Sequence, residues 1–228
     1  MPKAVLFDVY GTLFDVYSVS ALAEQLFPGF GERLGVIWRD KQIEYSRLVS
    51  MAGQTRSFRT LTLAGLRFAA SRLGLDLQPE AEARLMAQYQ DLAPFPENAG
   101  VLVELQQLGI PAGVLSNGDP DMLSELILNA GFDQRLSPVL SVQGTGRFKT
   151  DPAAYALGPQ ALNLQAGEIL FVSSNCWDAI GATWHGYTTL WINRFGLPFD
   201  PLETQPTRTG SSLRDVLNFF QPSRKSSP

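Results

Sequence analysis

The chain has 228 residues, 45% hydrophobic and 18% charged, which suits one ordinary core or a core with a smaller inserted domain and argues against disorder. Its formal charge of -4 argues against a nucleic-acid-binding surface, since basic residues cluster only at Arg224-Lys225, in a Ser/Pro-rich tail read as frayed. No apolar run reaches the roughly 18 residues of a membrane span, and the single cysteine and single histidine exclude a disulfide framework and a multi-histidine metal site.

Residues 3–9 read as a first strand, with the apolar run Ala4, Val5, Leu6 and Phe7 stopped by Asp8. One lysine followed directly by strand does not read as a signal peptide, and with the lone Cys176 it points to the cytoplasm. From about 16 to 93 no convincing strand appears. The pattern predicts helices near 18–27, 31–51, 58–73 and 79–92, with Gly74 stopping the third and Pro79 starting the fourth. The stretch APFPEN at 93–98 leads back. Further strands follow at 110–115, 139–142, 168–172 and 187–192, apolar nearly throughout, as strands covered on both faces should be.

The helices between these strands are punctuated. Asp119-Pro120 and Asp151-Pro152 read as N-caps followed by proline at the first helical position. Leu123, Leu126, Ile127 and Ala130 form one apolar stripe, closed by Gly131. Ser212 begins a last helix with Leu213, Val216, Leu217 and Phe220 on one face. Strand and helix in series predict an α/β fold, a parallel sheet with right-handed crossovers. A helical cap is inserted over the sheet edge: core 1–15 and 94–228, cap 16–93.

In an open parallel sheet, ligands bind beyond the carboxyl ends of the strands. The first strand ends at Asp8, the second at Ser116-Asn117-Gly118, and the third runs into a loop reaching Lys149. The fourth ends at Ser173-Ser174-Asn175, with Asp178 one turn on. Taken singly, Ser-Asn-Gly is an ordinary turn and Asp119 and Asp151 are helix caps. The coincidence of four polar clusters at one sheet end points to a catalytic site. Lys149 is the only cation in those clusters, and contact with it would favour an ionised, nucleophilic Asp8. A plain buried ion pair is the alternative.

The segments FDVYGTLFD, LSNG, Lys149 and FVSSNCWDAIGA resemble the four motifs of the haloacid dehalogenase superfamily, and within it the L-2-haloacid dehalogenases. The likeness runs from Lys3 to about Phe220 and includes WRDKQIEY. It implies a Rossmann-like core, a helical-bundle cap, no metal or other cofactor, and a homodimer. By the same resemblance Asp8 is the nucleophile, while Thr12, Ser173, Asn175 and Asp178 surround it and handle the hydrolytic water. Ser116 and Lys149 hold Asp8 and the substrate carboxylate, and Tyr155 matches a site position near that lysine. Arg39 and Asn117 receive the departing halide, and Tyr10, Ile43, Phe58 and Trp177 match positions around the substrate. On helical spacing alone Arg39 reads as a solvated arginine, with Ile43 and Ser46 on its face. Trp38, Tyr45 and Val49 lie about 100° away and read as packing.

The activity implied is hydrolysis of a short L-2-haloalkanoic acid to a D-2-hydroxy acid and halide, with inversion, through an ester on Asp8. The nearest rival is a phosphatase of the same superfamily. Such an enzyme needs a proton donor two residues after the nucleophile and carboxylates for Mg²⁺. Those places hold Tyr10 and Ser174 here. Halide, a weak base, needs no proton. A catalytically silent binding protein on the same fold is the second rival. Three departures from the family pattern stand out: Thr150 after Lys149, Asp40 beside Arg39, and Cys176 inside the fourth motif.

Overall fold

The computed structural model describes residues 1–221; Arg224-Lys225 lies outside the described residues. Strands β1 (Ala4–Phe7), β2 (Ala112–Ser116), β3 (Val139–Ser141), β4 (Ile169–Ser173), β5 (Thr188–Ile192) and β6 (Arg208–Gly210) form one sheet in the order β3-β2-β1-β4-β5-β6, every pair parallel. The sheet is flanked by helices α5 (Asn98–Gln107), α6 (Pro120–Asn129), α7 (Pro152–Leu162) and α8 (Cys176–Trp184). The order reverses on either side of β1, so the carboxyl end of β1 is the switch point where such sheets bind ligands. β1, β2 and β4 are buried along their whole length, as their unbroken apolar sequence requires.

Between β1 and α5 lie α1 (Val19–Leu26), α2 (Gly31–Met51), α3 (Phe58–Leu73) and α4 (Pro79–Gln88). α2 and α3 match the sequence reading residue for residue, and α3 is punctuated at both ends. Ser57 accepts a hydrogen bond from Thr60 N at the start of α3, and Gly74, with φ +68°, ends it in the left-handed region. α2 packs on both α1 and α3, with Trp38 buried and its indole donating to the Thr62 carbonyl at 2.7 Å.

Three readings differ from the structure, and a sixth strand joins the five expected. β3 is not covered on both faces: Val139 is exposed, and the strand ends at Ser141 where Ser141 Oγ caps a 3-10 turn. β6 carries the sequence Arg-Thr-Gly, whose polarity hid an edge strand. The last helix is a 3-10 segment, Leu213–Phe219, entered through a Ser212/Asp215 capping box. The fourth helix stops at Gln88, four residues early, where Tyr89 takes the C-cap position.

Candidate active site

β1 delivers Asp8 to the switch point, and Asp8 N still bonds Val172 O at 2.9 Å, so the carboxylate leaves a backbone held by the sheet. Gly11, with φ +92°, then turns the chain sharply. The turn brings Thr12 back, and its hydroxyl donates to Asp8 Oδ2 at 2.9 Å. Asn175 Nδ2 donates to the same oxygen at 2.8 Å, and Ser173 Oγ lies 3.5 Å away. Lys149 Nζ reaches Asp8 Oδ1 at 3.1 Å and Asp178 Oδ2 at 2.9 Å. All three ionised groups are buried. One ammonium thus serves two carboxylates, and the three groups together carry one net negative charge.

Desolvation pushes the Asp178 carboxyl up to about 6, against the pull of Lys149 and with a further push from Asp8. Its other oxygen accepts from Tyr155 OH at 2.8 Å. Burial and the adjacent Asp178 raise the Tyr155 phenol well above its ordinary value, so it remains a proton-bearing donor. Asp178 also sits in the first turn of α8, where the helix dipole favours an anion.

The β2 end closes another side. Asn117 Oδ1 accepts from Lys149 N at 2.9 Å and fixes the lysine's loop. Ser116 is fully buried and its Oγ accepts from Gly118 N at 3.1 Å; that turn bond is its hydrogen bond among the described residues. A Cβ on Gly118 would fall 2.9 Å from the Tyr10 ring, so the Ser-Asn-Gly turn needs glycine to let Tyr10 in.

The opposite wall comes from the inserted helices. Arg39 of α2 is 7% exposed, and its Nη2 donates to Tyr10 O at 3.1 Å and to Asn175 Oδ1 at 3.3 Å. Its Nη1 donates to Gln42 Oε1 at 2.6 Å. These partners are neutral, and among the described residues no carboxylate lies within ion-pair distance of Arg39. A buried guanidinium without a counter-ion, facing a cleft, is a place for an anion. Asp8, Tyr10, Arg39, Ile43, Ser46, Phe58, Asn117 and Trp177 line that cleft together. Arg39, Ile43 and Ser46 share the lining face of α2, while Trp38 packs inward. Tyr10 lies against Phe58, ring centroids 5.1 Å apart, and its buried hydroxyl has no partner among the described residues. Asp40, by contrast, is exposed and lines an outer groove instead of the cleft.

A family model described as haloacid dehalogenase-like hydrolase matches residues 2–186. The chain belongs to the haloacid dehalogenase-like hydrolases. Among proteins similar to this hydrolase is an (S)-2-haloacid dehalogenase of Pseudomonas sp. (strain YL), 41% identical over 96% of this chain and 94% of that one. A crystal structure of the L-2-haloacid dehalogenase RSc1362 superimposes with a TM-score of 0.95 at 52% identity, covering 97% of this chain and 99% of that chain. A structure of the L-2-haloacid dehalogenase from Xanthobacter autotrophicus with chloropropionic acid covalently bound aligns with a TM-score of 0.89 at 34% identity, covering 96% and 98%.

Three supporting groups of this dehalogenase-like hydrolase escape a reading of its sequence. Gln42 holds Arg39 while accepting from Tyr89 OH at 2.9 Å and donating to Thr62 at 2.6 Å. Its position three residues after Arg39 is the one signal that could have found it. Arg194, beyond β5, donates to Ser174 Oγ at 2.6 Å, to Thr12 O at 3.2 Å and to Glu97 at 2.9 Å, tying two site loops together. Asp119 does not cap its own helix. Its carboxylate accepts from Phe58 N and Arg59 N, both at 2.8 Å, and so caps α3 from across the cleft. Asp151 caps α7 as its sequence predicts. Cys176 Sγ accepts from Asp200 N at 3.3 Å, and burial pushes its thiol up to about 11, which suits a packed side chain. His185 packs between the Tyr155 and Tyr187 rings.

Proposed function

We propose that the chain is an (S)-2-haloacid dehalogenase, a hydrolase of carbon–halogen bonds that converts short L-2-haloalkanoic acids to D-2-hydroxy acids and halide. The observation that carries this reading is the pairing of Asp8, held by four donors, with the uncompensated Arg39 across one cleft.

Asp8 attacks C2 of the haloacid in line behind the carbon–halogen bond. Oδ2 accepts from Thr12, Asn175 and Ser173, whereas Oδ1 accepts from Lys149 alone and is the less committed oxygen. Fixing the nucleophile and substrate in this geometry is worth several kcal/mol of barrier, up to about 7–11 in the best-oriented systems. The C–X bond breaks as the new C–O bond forms, C2 inverts, and the electron pair departs as halide towards Arg39 and Nδ2 of Asn117. A fixed guanidinium stabilises that developing charge more than water could, because it needs no reorganisation. Lys149 and Ser116 hold the substrate carboxylate, and Tyr10, Ile43, Phe58 and Trp177 enclose the alkyl group.

The product of the first step is an ester of Asp8. Water then adds to the Asp8 carboxyl carbon, giving its proton to Asp178, whose raised pKa suits a base working near neutrality. The oxyanion is met by Thr12 and Asn175. On collapse Asp178 returns that proton to the departing alkoxide, which leaves as the hydroxy acid, while one water oxygen stays on Asp8 and the second water proton goes to solvent. Residues 16–93 act as the cap of a core made of 1–15 and 94–228, since they bring Arg39, Ile43 and Phe58 opposite Asp8. The protein works in the cytoplasm as a homodimer, without metal or cofactor; among its described residues no helix is long and apolar enough to cross a membrane.

Single turnover in ¹⁸O water with enzyme in excess tests the ester route. Label on the Asp8 carboxylate is expected; label found only in the hydroxy acid overturns it.

A further inference from the structure

Outside the cleft, α2 carries a second cation on the same side. Arg47 follows Ile43 by four residues and Arg39 by eight, two turns or about 12 Å along the helix. Its guanidinium carbon stands 4.9 Å from the centre of the Trp177 ring. Trp177 and Ile43 line both the catalytic cleft and an open groove with Asp40, Glu44, Arg47, Leu48 and Met51, so the groove and the cleft share a wall. Arg47 also borders an adjoining cavity with Ser50, Phe148, Lys149 and Thr150.

Arg47 has neither a hydrogen bond nor an ion pair among the described residues. Half-burial depresses its guanidinium, with Asp200 opposing and Arg39 adding to that shift. The acids of the groove do not neutralise it: Glu44 is paired with Lys41 at 2.7 Å, and Asp40 sits nearly two turns earlier. A half-buried, unpaired guanidinium over an aromatic face, beside the apolar Ile43 and Trp177 that also border the cleft, favours an anion at the end of an alkyl chain.

We propose that Arg47 and Trp177 form a distal anion subsite, so that the enzyme accepts 2-haloacids with a second carboxylate at the far end of the chain. This rests on the dehalogenase reading and extends it from short monoacids to 2-halo dicarboxylic acids. The reactive end sits at Asp8 as before. The methylenes run over Ile43 and Trp177, and the distal carboxylate meets Arg47. Balance of the reaction is unchanged: one halide leaves, and one water supplies the hydroxyl.

The test compares 2-chloroadipate with 2-chlorohexanoate, which has the same chain length without the distal charge, in the wild type, Arg47→Gln and Arg47→Lys. The ratio of kcat/KM for diacid over monoacid is expected to fall about tenfold in Arg47→Gln, with partial recovery in Arg47→Lys. An unchanged ratio overturns the subsite, whether the two substrates fall together or neither changes. Calorimetric titration with adipate and hexanoate repeats the comparison without turnover. Selective loss of adipate affinity in Arg47→Gln supports the subsite even if no haloacid is hydrolysed, an outcome that would sink the dehalogenase reading alone. Equal affinity of wild type and variant for adipate overturns it.

Discussion

Asp119, at the start of a core helix, caps the first turn of a helix in the insertion: its two oxygens accept from Phe58 N and Arg59 N at 2.8 Å each. Phe58 lines the cleft, so one carboxylate joins the two walls of the site. An N-cap is worth roughly 0.5–2 kcal/mol. Asp119→Ala is expected to lower stability by about 1 kcal/mol in thermal melts and to raise KM for 2-chloropropionate more than it lowers kcat. A variant with wild-type KM would show that the contact does not hold the cleft's shape.

In the proposed hydrolytic step Asp178 takes a proton from water and so must be ionised. Burial raises its pKa to about 6, so below that pH the carboxyl is protonated and the base is lost. Turnover of 2-chloropropionate is therefore expected to fall as pH drops through about 6, well above the range of an unperturbed aspartate. Asp178→Asn is expected to release one halide per active site and then stall, leaving a protein whose intact mass is increased by the 1-carboxyethyl group esterified to Asp8. Sustained turnover by that variant would remove Asp178 from the hydrolytic step.

Arg39 donates to Gln42 at 2.6 Å, so in the proposed mechanism the first group receives the halide and the second aims it. Arg39→Gln is expected to reduce kcat about 10²–10³-fold, the range for loss of one preorganised electrostatic donor. Gln42→Ala leaves Nη1 of Arg39 and the Tyr89 hydroxyl unpaired and is expected to cost about 1–3 kcal/mol of stability. Its kcat should fall with a halide dependence unlike the wild type's. Identical product inhibition by bromide in both proteins would count against an aiming role.

The positions where a phosphatase needs a proton donor and a metal carboxylate hold Tyr10 and Ser174. Halide release from 2-chloropropionate is expected to be undiminished by EDTA and unaltered by added Mg²⁺. Loss of activity on chelation, restored by Mg²⁺, would contradict that expectation.

Much of the scaffold is legible because its signals are local. β1, β2 and β4 announce themselves by unbroken apolar runs, α2 by apolar spacing, and α3 by apolar spacing with a serine cap at one end and glycine at the other. β6 is not legible, since Arg-Thr-Gly has no apolar period and pairs only because β5 offers it an edge. The polar clusters at Asp8, Ser116-Asn117, Lys149 and Ser173–Asp178 are visible in the chain because parallel strands place every carboxyl end on one side of the sheet.

Chain order alone determined the α/β alternation, the inserted helices and the set of polar residues at the strand ends, because backbone propensity and apolar period act over a few residues. Only the tertiary structure decided what those residues do to one another. Lys149 shares itself between Asp8 and Asp178, Arg39 is buried without a counter-ion, Asp119 caps a helix 60 residues away, and Arg47 stacks on Trp177. Charge and desolvation act through space, and the distances that set them exist only once strands and inserted helices have closed around the cleft.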